Sequence, residues 1–164
     1  MKTAHGVLAA LAFVAWSGPS AGQAIVAGHA QTNLGSIPDS AVSTASGLRL
    51  MVRRASVGGN ISSGLDLLHA QASKYDRSRW AFQDRGNPGW KAKVDDFVAQ
   101  TALQASSFDV LTMKFCFIDP DASFASYRDA LLGLEQAYPS KRFVWWTIPI
   151  ETSGNSSRQA FNDQ

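Results

Sequence analysis

The sequence predicts an α/β domain in which a parallel sheet carries helices on both faces. Three observations carry that expectation. Strand-like and helix-like runs alternate four times between Leu48 and Gln164, the pattern of successive βα units. The run Phe108–Phe117 is almost continuously apolar, as a central strand buried on both faces would be. A glycine-bearing corner, Ala55-Ser56-Val57-Gly58-Gly59-Asn60, joins the first strand to the first helix. With 164 residues, 45% of them hydrophobic, the chain can fill one core and not two.

The elements follow in order. Residues 25–46 read as an arm of small and polar residues with Pro38, and Ser40–Ser46 as a short helix capped by Asp39 or Ser40. Leu48, Leu50 and Val52 alternate at strand period, and Ile61, Leu65 and Leu68 recur on one helix face. Trp80-Ala81-Phe82 is a second strand. The turn residues Gly86, Asn87, Pro88 and Gly89 lead from it into a helix with Trp90, Val94, Phe97 and Thr101 inward and Asp95 and Asp96 outward. Phe108–Phe117 is the third strand, and the run Ile118-Asp119-Pro120-Asp121 is expected to end it and cap the helix after it. That helix carries Phe124, Tyr127, Leu131, Leu134 and Tyr138 on one stripe, and Pro139 stops it. Arg142–Ile150 is the fourth strand, with Trp145 and Trp146 on opposite faces. Another helix begins at Ser156.

Composition narrows the function. Net charge is +2, with basic and acidic residues interleaved, so there is no stripe of the kind that binds nucleic acid. The single cysteine, Cys116, excludes an internal disulfide and a cysteine metal cluster. No Gly-x-Gly-x-x-Gly follows the first strand and there is no Walker sequence. No cofactor and no metal are expected. Residues 1–24 read as a secretory signal peptide, with Lys2 ahead of an apolar run Val7–Trp16 too short to span a bilayer and small residues at Gly22 and Ala24. The mature chain is then expected to begin at Ile25, outside the cytoplasm (secreted or periplasmic) and without stable membrane insertion.

Ser56 is the candidate nucleophile. It stands at the C-terminal end of a strand and just before a helix, where ligands bind in open parallel sheets and where amide N–H groups favour developing negative charge. Serine before a helix is also a common cap. Lys114 is the odd member of an apolar strand, either a buried functional cation or a residue near the exposed strand end. His69 follows Leu68 and falls on the solvated side of its helix.

Three ordered motifs give the chain a resemblance. Arg54-Ala55-Ser56-Val57-Gly58-Gly59-Asn60-Ile61, Arg85–Trp90 and Met113–Asp119 resemble, over roughly residues 48–162, a divergent secreted bacterial branch of the SGNH (GDSL-like) hydrolases. That branch reads His-x-Ser-Val-Gly-x-Asn-Ile, then Arg-Gly-Asn-Pro-Gly-Trp, then Met-Lys-Phe-Cys-Tyr-x-Asp. The resemblance implies a flavodoxin-like three-layer α/β/α fold over residues 47–164, with the last strand and helix missing. It implies hydrolysis of a carboxylic ester, an acyl or acetyl group on a carbohydrate or lipid. Ser56 would be the nucleophile, and the N–H groups of Ser56 and Gly89 would form the oxyanion hole, with Asn87 or Asn60 as possible further donors. Apart from what the resemblance implies, Arg54, Trp90, Lys114 and Asp119 are candidate substrate contacts.

The chain departs from the pattern at three places. Ile118 stands where the third block places an asparagine oxyanion donor, and losing one such donor costs about 10²–10³ in rate. Arg54 stands where the branch has histidine. The Asp-x-x-His block that supplies the general base is not found, and neither His29 nor His69 matches it. The expectation is therefore an inactive, C-terminally truncated fragment of an esterase. The alternative is a secreted, non-catalytic module on the same fold that binds a glycan or peptide.

Overall fold

A computed structural model describes residues 33–164; the signal peptide expected over 1–24 and the arm over 25–32 lie outside the described residues. The fold is α/β. In order, the elements are α1 (Asp39–Gly47), β1 (Leu50–Arg54), α2 (Gly58–Gln71), β2 (Trp80–Asp84), α3 (Trp90–Gln104), β3 (Val110–Met113), α4 (Phe124–Ala137), β4 (Arg142–Val144) and α5 (Ser156–Asn162). The four strands form one sheet in the order β2-β1-β3-β4, and every neighbouring pair is parallel. Leu50 lies opposite both Trp80 and Val110, and Arg54 opposite Asp84.

This order positions the site. From β1 the chain moves outward to β2, then crosses back to the far side of β1 for β3 and β4. Successive crossovers in opposite directions open a crevice between the C-terminal ends of β1 and β3. The residues that follow those ends are Ala55-Ser56-Val57 and Lys114–Asp119.

The period of two assigns the faces. Met51, Leu111 and Met113 point to α3 and α4, where they pack with Val94, Phe97, Tyr127, Leu131 and Leu134. Phe115 meets Tyr127 and Phe161 edge-on, with ring centroids 4.9 and 5.4 Å apart, which brings α5 into the same core. Leu50, Val52, Trp80, Phe82, Thr112 and Val144 point the other way. There they line a pocket of about 180 Å³ closed in part by Ile61 and Leu65 of α2. Packing is thus unequal: the α3/α4 face holds the core, and in α2 only Gly58 is fully buried.

Several boundaries differ from the sequence expectation, for visible reasons. The third strand ends at Met113 because the guanidinium of Arg85 takes the Lys114 carbonyl, and Asp119 then folds the chain back by accepting from the Cys116 N–H at 2.8 Å. The fourth ends at Val144 because side chains claim the backbone beyond it. The Tyr127 hydroxyl accepts from Trp146 N–H (3.0 Å), and Asn162 bonds both the N–H and the C=O of Ile148 (2.7 and 3.0 Å). Asp119 is not a helix cap; Ser123 caps α4, its Oγ accepting from Ser126 N–H at 3.2 Å. Pro38, rather than Asp39 or Ser40, precedes α1. Asp96 is not outward but pairs with Arg53 through two 2.9 Å bonds. Trp145 and Trp146 do take opposite faces: Trp145 lies against Tyr127, and Trp146 lines the pocket. Among the described residues no helix is long and apolar enough to cross a membrane.

Candidate active site

Ser56 has φ +48°, and it is the only non-glycine residue at positive φ among the described residues. A side chain in that region is strained, and such strain concentrates at functional positions. The turn is held on both sides. Gly58 N–H donates to the Ala55 carbonyl at 3.0 Å and Gly59 N–H to the Ser56 carbonyl at 2.7 Å. The residue flanking α2 is Val57, with no side-chain cap bond, so the Ser56 hydroxyl is not used in capping. That hydroxyl is exposed and makes no hydrogen bond among the described residues.

Gly58 is glycine for a packing reason. A Cβ there would sit 2.7 Å from the Cβ of Arg54. Arg54 folds under the start of α2, donating to the Gly58 carbonyl at 3.1 Å and to Asp84 at 3.2 Å, with its guanidinium over Phe82. Arg54 thus braces the serine loop against the end of β2.

The second loop, Arg85–Gly89, leaves β2 beside it. Arg85 N–H donates to the Arg54 carbonyl at 3.2 Å, and its guanidinium spans the carbonyls of Arg53 and Lys114, tying three strand ends together. Burial lowers the pKa of this guanidinium. Gly89 is the residue before α3; it is exposed, and its N–H makes no hydrogen bond among the described residues. Asn87 is exposed on the same loop and Asn60 in the first turn of α2. Trp90 opens α3 and packs against the core, so only part of its ring is available to a ligand.

The third loop carries Lys114 to Asp119. Lys114 is buried, with its Nζ donating to the Phe115 carbonyl at 2.7 Å, and burial lowers its pKa. Cys116 Sγ lies 3.9 Å from the Ala55 carbonyl, which puts this loop against the serine loop. Phe117 and Ile118 are exposed. Asp119 is fully buried and paired with Lys93 of α3 at 2.5 Å, which withdraws it from any direct substrate contact. Arg158 of α5 holds the loop from outside, donating twice to the Phe117 carbonyl.

The fold therefore gathers Ser56, Arg54, Gly89, Asn87, Trp90, Lys114 and Asp119 at one edge of the sheet, the C-terminal one. The nitrogen donors Arg85, Lys93 and Lys114 stand there around Asp119, the single buried carboxylate among the described residues, an arrangement that suits an anion or a developing oxyanion. His69 is not part of it. It is exposed in the last turn of α2, about 17 Å along the helix from its start. His29 lies outside the described residues. No group of side chains with metal-ligand character occurs among the described residues.

Sequence reasoning missed Lys93, Arg85 and Arg158. Lys93 had a signal: it falls between Trp90, Val94 and Phe97 on the apolar phase of α3, and a lysine there must be paired or must reach around the helix. No known protein family, curated protein or solved structure matches this chain.

Proposed function

We propose that this chain carries the nucleophile and oxyanion site of an SGNH-like serine esterase, exported from the cytoplasm, that acts on acyl or acetyl esters of a carbohydrate or lipid. The observation that supports this most directly is Ser56: exposed, with a hydroxyl that makes no hydrogen bond among the described residues, and held at φ +48° at the sheet's switch point. In this reading Ser56 Oγ attacks the ester carbonyl, the alkoxide departs, and water then releases the acyl group from the serine. The N–H groups of Ser56 and Gly89 hold the oxyanion, and the nitrogen donors at the strand ends favour its charge. Ile118 supplies no donor where the family pattern has one. No histidine stands near Ser56 among the described residues, so the base that activates it comes from outside residues 33–164.

Two measurements test this together. The gene is read past the codon for Gln164, and the whole product is treated with a fluorophosphonate probe. An Asp-x-x-His in frame, with labelling at Ser56 that Ser56→Ala abolishes, supports the esterase. A product with no such block, or one that carries it and is not labelled, overturns it. The exposed apolar pair Phe117 and Ile118 favours the second reading, a binding module on the same fold. Carbohydrate or peptide binding by an unlabelled protein would bear that reading out.

A further inference from the structure

Lys114 and Cys116 face each other where the chain leaves β3. The Nζ–Sγ distance is 4.0 Å, and neither residue is more than 3% exposed. Residues two apart on an extended chain point the same way, which is why the amine and the thiol share one side of the backbone. Among the described residues Lys114 has a single oxygen partner, the Phe115 carbonyl. Its pKa is lowered by burial, and this raises the share of free amine, the nucleophilic form. Cys116 is the chain's only cysteine, so no second thiol of the same chain can trap it. Lys114, though not Cys116, lines the apolar pocket of about 180 Å³, which leaves room for a molecule the size of hydrogen peroxide on the amine side of the pair.

We propose that Lys114 and Cys116 form an oxidative modification site, in which peroxide converts the thiol to a sulfenic acid and the lysine amine closes on the sulfur to give an S–N cross-link, a sulfenamide. In the first step the sulfur attacks one peroxide oxygen. An S–O bond forms, the O–O bond breaks, and one water leaves. In the second step the amine lone pair attacks the sulfur. The S–N bond forms, the S–O bond breaks, and the departing hydroxide takes a proton from nitrogen as a second water. One peroxide is reduced by two electrons, and the protein loses one hydrogen from sulfur and one from nitrogen. The link fixes the loop that lies against Ala55 and thus beside Ser56, but its chemistry does not depend on Ser56.

The test is a peptide map of the whole protein after peroxide. Trypsin cuts the untreated chain after Lys93, Lys114 and Arg128. The cross-link blocks the cut at Lys114, so the expected product is one peptide spanning Val94–Arg128, lighter by two hydrogens, which dithiothreitol and renewed digestion return to two. In Lys114→Arg the cysteine instead gains oxygen and cleavage continues at position 114. The proposal is overturned if wild-type Cys116 gains oxygen with cleavage at Lys114 intact. It is also overturned if the two-hydrogen loss appears on Phe115–Arg128 alone, a closure on backbone nitrogen, or if the thiol is unchanged under peroxide that oxidises free cysteine.

Discussion

Lys93 Nζ and Asp119 Oδ2 meet at 2.5 Å with both side chains fully buried. The same carboxylate oxygen accepts from the Cys116 N–H, while Oδ1 has no partner among the described residues. One ion pair therefore ties α3 to the loop that faces Ser56. Removing one charge leaves the other buried alone, which costs about 3–5 kcal/mol. Lys93→Met is expected to lower stability by that amount in urea unfolding. The double variant Lys93→Met/Asp119→Leu should cost less than the two single changes added together, because it leaves no unpaired charge. Additive costs would mean that the two side chains do not interact.

Gly58 and Arg54 set a second expectation. A methyl group at 58 meets the Arg54 Cβ at 2.7 Å, so either α2 or β1 must move. Gly58→Ala should cost about 1–3 kcal/mol, the range for overpacking. Gly64 and Gly133 lie in helices with nothing near a new Cβ. Gly64→Ala and Gly133→Ala should each stabilise by up to about 1 kcal/mol through helix propensity. Melting temperatures of the three variants check the contrast, and equal shifts would remove the packing role of Gly58.

The alternation of strands and helices was legible because it rests on local periodicity, and Val94, Phe97, Tyr127, Leu131 and Leu134 lie in the core that periodicity assigned them. The ends of β3 and β4 were not legible. Their ladders stop where Arg85, Tyr127 and Asn162, all distant in sequence, take the backbone groups. The corner at Ser56 was located but its mechanics were not. Two adjacent glycines suggest that they supply the unusual backbone, yet the positive φ falls on the serine, while Gly58 serves a close approach. Asp-Pro-Asp before a helix looks like a cap, yet Asp119 pairs with Lys93, which lies 26 residues earlier.

Arg49 and Asp109 clamp the starts of β1 and β3. Asp109 accepts from the Arg49 backbone N–H at 2.9 Å and from its guanidinium at 2.6 and 3.1 Å. The bonds from the Arg49 side chain, then that from its backbone, hold the Asp109 carboxyl well below the usual range. A carboxyl depressed in the folded state stabilises above its unfolded pKa of about 3.9 and loses that contribution as pH falls further. Asp109→Asn should therefore be less stable than wild type at neutral pH, with the gap closing in acid below about pH 4. Urea midpoints across that range check it, and a gap that does not change with pH would assign the loss to packing instead.

Tyr127 gives the corresponding expectation in alkali. Its ring is buried against Phe115, Trp145 and Phe161, and its hydroxyl accepts from Trp146 N–H at 3.0 Å. Burial pushes the phenol up to about 12, and the Trp146 N–H bond offsets only part of that. Because the folded pKa lies above the unfolded value of about 10, the neutral form is what the fold favours, and its contribution is complete below that pH. It is then lost as pH rises through the folded pKa. Tyr127→Phe keeps the ring contacts but leaves the Trp146 N–H unpaired, at a cost of about 1–3 kcal/mol. Wild type should therefore lose its advantage over Tyr127→Phe between about pH 10 and the folded pKa. An ultraviolet titration should show one tyrosine ionising near 12 in wild type and none there in the variant. If that late tyrosine persists in Tyr127→Phe, the buried phenol is not Tyr127, and the packing of α4 against the end of β4 is not as described.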